Sequence, residues 1–110
     1  MDKISIKIPA NSLYLKSIRL FTASIASDMG FDIEKVEDLR VVVSEAVNYK
    51  LTDKDIDINY YIEEKKLTIE VVGRDKDLDD MALNMRDLIL QELADEVEIS
   101  EDLIKITQRA

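Results

Sequence analysis

Four aspartates stand close together at Asp75, Asp77, Asp79 and Asp80, and carboxylates so spaced are hard oxygen donors of the kind that hold calcium. The run lacks the glycine and the terminal glutamate of an EF-hand loop. It reads instead as an acidic loop whose charge favours the N-terminus of a following helix, and no metal site is expected. The chain has no histidine and no cysteine. It therefore offers no imidazole as base or ligand, no thiolate metal centre and no disulfide. Only two glycines occur, Gly30 and Gly73. Backbone that closes around a phosphate needs N–H groups converging on the anion, a geometry that glycine permits, and this chain has little of it.

The elements that would position these residues follow from hydrophobic periodicity. Ile4-Ser5-Ile6-Lys7-Ile8 alternates as a half-buried strand and Pro9 ends it. Asn11 or Ser12 can cap a first helix, with Tyr14, Ile18, Phe21, Ile25 and Met29 at helical spacing and Gly30 as the left-handed stop. Asp32 reads as the next N-cap, ahead of a helix whose apolar face is Ile33, Val36, Leu39, Val43, Ala46 and Val47. The run Val41-Val42-Val43 is β-branched, which predicts a helix buried on more than one side. The period then changes to two. Ile56, Ile58, Tyr60 and Ile62 alternate with polar residues, and after a turn near Glu64-Lys65 so do Leu67, Ile69 and Val71, which predicts an antiparallel hairpin. Leu78, Met81, Met85, Leu88, Ile89 and Leu93 mark a third helix, with Met29, Met81 and Met85 expected as core fillers. Val97 and Ile99 form a short strand, and Leu103 to Thr107 a last one.

The order is β-α-α-β-β-α-β-β. Strands with one apolar and one polar face predict a two-layer α/β (α+β) sandwich, in which three helices cover one side of a mixed, mostly antiparallel sheet. A length of 110 residues, 46% hydrophobic and 35% charged, fits one folded domain spanning 1–110. The formal net charge of −9 disfavours nucleic-acid partners and leaves a basic protein surface as the more fitting one. No secretory signal or membrane-spanning stretch is present in the sequence, so a cytoplasmic protein is expected. Leu13 and Leu20 on the first helix, and Leu83 and Leu90 on the third, each repeat at seven residues beside the main stripes. Each pair is either a partner face or the edge of a wide core.

Three segments resemble a known family when taken in order: Ile6-Lys7-Ile8-Pro9-Ala10 with Ile18-Arg19-Leu20-Phe21; Ile25-Ala26-Ser27-Asp28-Met29-Gly30-Phe31; and Val36-Glu37-Asp38-Leu39-Arg40-Val41-Val42-Val43-Ser44-Glu45-Ala46. The pattern is similar to the anti-sigma factor serine kinases of the GHKL (histidine-kinase-like) ATPase superfamily. In the second half it rests on element order and on Leu93-Ala94-Asp95-Glu96-Val97. The resemblance implies a shortened GHKL domain, a bacterial regulator of transcription, a homodimer, and a sigma factor or anti-sigma antagonist as partner.

It also implies an ATP site, which this sequence departs from. The family's glutamate base falls on Glu45. The magnesium-binding asparagine should stand four residues on, at Tyr49, whereas Asn48 stands three residues on and is turned by roughly 100°. The adenine-reading aspartate falls on Gly73, with Asp75 as a displaced substitute, and no lid glycine precedes Leu88. Residues 74–77 are too few for a nucleotide lid. The expected function is therefore protein binding without ATP or magnesium. Leu13 and Leu20 are the candidate partner contacts, and Glu45, Asn48 and Asp75 are vestigial. One alternative is an active ATP-dependent serine-protein kinase rebuilt around those three residues. Another is an unrelated ligand-binding α/β module.

Overall fold

A computed structural model describes residues 1–110. It places β1 at Asp2–Ile8, a 3-10 turn at Ser12–Tyr14, α1 at Leu15–Asp28 and α2 at Ile33–Asn48. β2 (Ile56–Glu63), β3 (Lys66–Val72), α3 (Asp80–Leu93), β4 (Glu96–Ser100) and β5 (Leu103–Arg109) follow. The five strands form one sheet in the order β1-β2-β3-β5-β4, and every neighbouring pair is antiparallel.

Register follows from alternation. Ile6 stands opposite Ile58, Ile58 opposite Val71, Val71 opposite Ile104 and Ile104 opposite Ile99, so one apolar row crosses all five strands. The next row on the opposite face is Ser5, Asn59, Glu70, Lys105 and Glu98. A one-residue slip would exchange these rows, which fixes the pairing. The two hairpins turn at Glu64–Lys65 and Glu101–Asp102, with Lys65 and Asp102 in the left-handed region at φ 60° and 62°.

The helices cover the apolar face. Ile18, Ala26, Leu39, Val42, Val43, Val47 and Leu90 join Ile58, Tyr60, Ile69 and Ile106 in one buried cluster. Asp32 caps α2 by accepting a hydrogen bond from the Lys35 N–H at 2.9 Å, and Asp79 caps α3 through the Ala82 N–H at 2.8 Å. Gly30 ends α1 at φ 88°, where a Cβ would be strained.

Several helical faces differ from expectation. On α1 the buried line is Ile18, Thr22 and Ala26, while Tyr14 sits exposed in the 3-10 turn. The Thr22 hydroxyl and the Tyr60 hydroxyl share a 2.7 Å hydrogen bond inside the core, which is why a polar residue can occupy the centre of the stripe. On α2, Val42 is buried with Val43, but Val41 and Ile33 face solvent, so the valine run is buried on one side only. On α3 the phase is displaced. Leu90 is fully buried, and so is not part of an outer line, whereas Met81, Met85 and Leu88 are exposed rather than core-filling. The cause is Arg86. It takes the inward position one turn before Leu90, held by Asp75 and Asp87, and the neighbouring apolar residues lie outward.

Candidate functional site

α2 ends in a tight turn. The Tyr49 and Lys50 N–H groups donate to the Glu45 and Val47 carbonyls, and the chain turns away before another helical turn forms. The Lys76 N–H then donates to the Tyr49 carbonyl at 2.9 Å, which ties the loop of residues 73–79 to the end of α2. Gly73 follows β3, and its N–H donates to the Asp102 carbonyl. A Cβ on Gly73 would meet the Lys50 Cβ at 3.5 Å, an ordinary contact, and its φ lies outside the left-handed region. Backbone geometry therefore does not demand glycine there.

These elements bring four charges together. The Lys50 ammonium lies 2.6 Å from Asp75 Oδ1, and the Lys50 side chain is 0% exposed. Arg86 Nη1 stands 3.5 Å from the same oxygen, an ion contact without hydrogen-bond geometry, and it has no hydrogen-bond partner of its own. Arg86 Nε donates to Asp87 Oδ1 at 3.1 Å, and the guanidinium lies 5.5 Å from the centre of the Tyr49 ring. The α2 C-terminus favours a cation at Lys50. Tyr49 offers its ring face to Arg86. Two cations are balanced by two carboxylates between the α2 end and α3.

The four clustered aspartates do not converge on a cation site. Asp75 turns to Lys50 and Arg86, whereas Asp79 caps α3.

Glu45 lies elsewhere. It lines a groove of about 430 Å³ between α1 and α2, together with Lys16, Arg19, Leu20, Arg40 and Val41. Arg19 Nη1 donates to Ser44 Oγ at 3.3 Å, and Arg40 pairs with Glu37 at 3.1 Å. Neither Asn48 nor Asp75 lines this groove, so the three residues considered as a rebuilt nucleotide site do not share one concavity. Leu20 is 54% exposed at the groove and Leu13 is 71% exposed one helical stretch before it.

Lys50 and Arg86 were not among the residues that the sequence singled out. The available signal was Arg86 as the one cation of α3, at helical spacing between Ala82 and Leu90. Lys50 carried no comparable mark, since a lysine after a helix end is ordinarily solvated.

The three helices on an open antiparallel sheet are the architecture of an anti-sigma-kinase-like α/β sandwich. A solved structure of the RsbU and RsbW domains of Rv1364c from Mycobacterium tuberculosis matches 99% of this chain and 32% of that one, with a TM-score of 0.80 at 16% identity. At the level of sequence, the chain is similar to proteins named serine-protein kinase RsbW. The relative from Listeria innocua is 38% identical over 77 residues, which is 64% of this chain and 49% of the relative. The relative from Oceanobacillus iheyensis is 36% identical over 85 residues, 71% of this chain and 54% of the relative. The chain thus spans about half the length of the curated relatives it matches. No family model matches it. The resemblance stated from the sequence is borne out, and the fold is shared. No helix is long and apolar enough to cross a membrane.

Proposed function

We propose that this chain is a kinase-like anti-sigma regulator that works by binding protein partners, a sigma factor or its antagonist, and that it no longer binds ATP. The observation that carries the reading is the Lys50–Asp75–Arg86–Asp87 cluster. It occupies the space beside the α2 end where the resemblance calls for nucleotide, and it ties up Asp75, the displaced substitute for the adenine-reading aspartate. The cluster is neutral in sum, and in the same stretch Arg74 and Lys76 are outnumbered by Asp77, Asp79 and Asp80, so a triphosphate finds no net positive charge there. Neither glycine lies in a phosphate-wrapping loop: Gly30 ends α1 and Gly73 is an ordinary link. Leu13, Leu20 and Val41, beside Lys16, Arg19, Arg40, Glu37 and Glu45, supply an apolar surface with charges of both signs on α1 and α2, suited to a protein contact.

Isothermal titration with magnesium-ATP tests the loss of nucleotide binding. No heat of binding is expected up to millimolar ATP, and micromolar affinity would refute the reading. The names of the relatives favour the kinase alternative. If phosphorylation of an antagonist serine is observed and Glu45→Ala abolishes it, Glu45 is a catalytic base and the protein is an enzyme.

A further inference from the structure

Helix α3 carries a second exposed apolar surface, separate from the α1–α2 groove. Met81, Met85 and Leu88 are 76%, 56% and 63% exposed. Spaced at four and three residues, they form one line along the helix. Leu88, Ile89 and Leu93 continue it into a shallow concavity of about 450 Å³ that Glu92 borders. An isolated exposed leucine is normal, but a continuous line of this kind marks an interaction surface. Methionine suits such a surface because its unbranched side chain adapts to the shape of a partner.

The charges around the line select the partner. Asp80 flanks it on α3 and Glu92 stands within it. The only basic residue of α3 is Arg86, which is buried and already held by Asp75 and Asp87. A surface with free acids and no free cation, on a chain of net charge −9, repels anionic lipid headgroups and nucleic acid. It also repels the same face of a second copy. The α1–α2 groove of a second copy has cations, but a contact between two different surfaces extends into open assemblies unless the rotation closes.

We propose that the α3 line docks a basic amphipathic helix of another protein. The partner's apolar face would cover Met81, Met85 and Leu88, and its lysines or arginines would meet Asp80 and Glu92. This is the helix-in-groove mode of recognition, with affinity from the buried apolar face and register from the charges.

The test uses the full chain and a fluorescent leucine–lysine amphipathic peptide, read by anisotropy at fixed salt, with a leucine–glutamate peptide of the same pattern as counterpart. The lysine peptide is expected to bind and the glutamate peptide to fail. Met85→Ser with Leu88→Ser leaves the formal charge unchanged and should weaken binding by about tenfold or more. Asp80→Asn with Glu92→Gln keeps the apolar line and should weaken it several-fold. Ile33→Ser, which removes a still more exposed apolar side chain on α2, should leave binding as in the wild type. Circular dichroism confirms that each variant is folded. The proposal is overturned if the lysine peptide does not bind, if Met85→Ser/Leu88→Ser binds it as the wild type does, or if the glutamate peptide binds equally. It is also overturned if the wild type sediments as an oligomer that Met85→Ser/Leu88→Ser dissociates, because the occupant is then a second copy.

Discussion

Replacing Asp75 by asparagine keeps the shape of the side chain and removes the one carboxylate that Lys50 and Arg86 share. The fully buried Lys50 ammonium would then face a neutral amide 2.6 Å away, with a second cation nearby. Breaking a buried ion pair from one side costs about 3–5 kcal/mol, because it strands a desolvated charge. Asp75 is itself 29% exposed, so water screens part of the interaction, and Asp87 remains on Arg86. The expected loss is therefore about 2–3 kcal/mol, just below that range. For a domain of this size that lowers the melting temperature by roughly 10 °C. Thermal unfolding followed by circular dichroism at pH 7 and fixed protein concentration reads it. The partner arm is Lys50→Met with Asp75→Asn. Removing the stranded cation as well should recover a good part of the loss, with a coupling of about 1 kcal/mol or more. If Asp75→Asn melts with the wild type, and the two substitutions simply add, the cluster does not hold the α2 end to α3 and the account of a filled site fails.

Two further perturbations test the core. Burial lifts the Tyr60 hydroxyl to about 12 from the usual 10, against the opposing effect of its Thr22 hydrogen bond. The folded protein thus keeps this proton through a window in which the unfolded chain loses it. Stability should fall as pH rises from 10 to 12, by about 2–3 kcal/mol from this group. Tyr60→Phe, compared with the wild type by urea denaturation across that range, should remove this component while costing about 1–2 kcal/mol at neutral pH through the unpaired Thr22 hydroxyl. On α3, Leu90→Ala should cost about 2–5 kcal/mol and Leu88→Ala less than about 1 kcal/mol in the same assay, because only Leu90 is buried. Equal losses would contradict the phase of the helix.

The sheet was the most legible part of the chain because its signal is redundant. Ile56-Asp57-Ile58-Asn59-Tyr60 alternates so regularly that only one register buries the apolar set, and the neighbouring strands repeat the condition. Caps were legible for a related reason: Asp32 and Gly30 do locally what their types do best. Helix faces were less so. The α3 sequence contains more apolar residues than one face can bury, and two phases one residue apart fit the 3.6 period almost equally well. Arg86 decides between them through Asp75, a residue separated from it in sequence, and periodicity cannot register a charge that is neutralised by a partner outside the window. In the same way, hydrophobic periodicity passes over Thr22, which is the partner of the buried Tyr60 hydroxyl.

The candidate site repeats this division. The absence of lid glycines could be counted in the sequence, but what stands in their place could not, because Lys50 and Asp75 meet only after β2 and β3 have returned the chain to the end of α2. A buried ion pair adds little net stability compared with apolar packing of the same volume. Its consequence here is positional. Lys50 anchors the loop of residues 73–79 against α2, and Arg86 sets which face of α3 points inward. That choice leaves Met81, Met85 and Leu88 in solvent. The charges that fill the interior and the apolar line on the outside of α3 are thus two results of one placement.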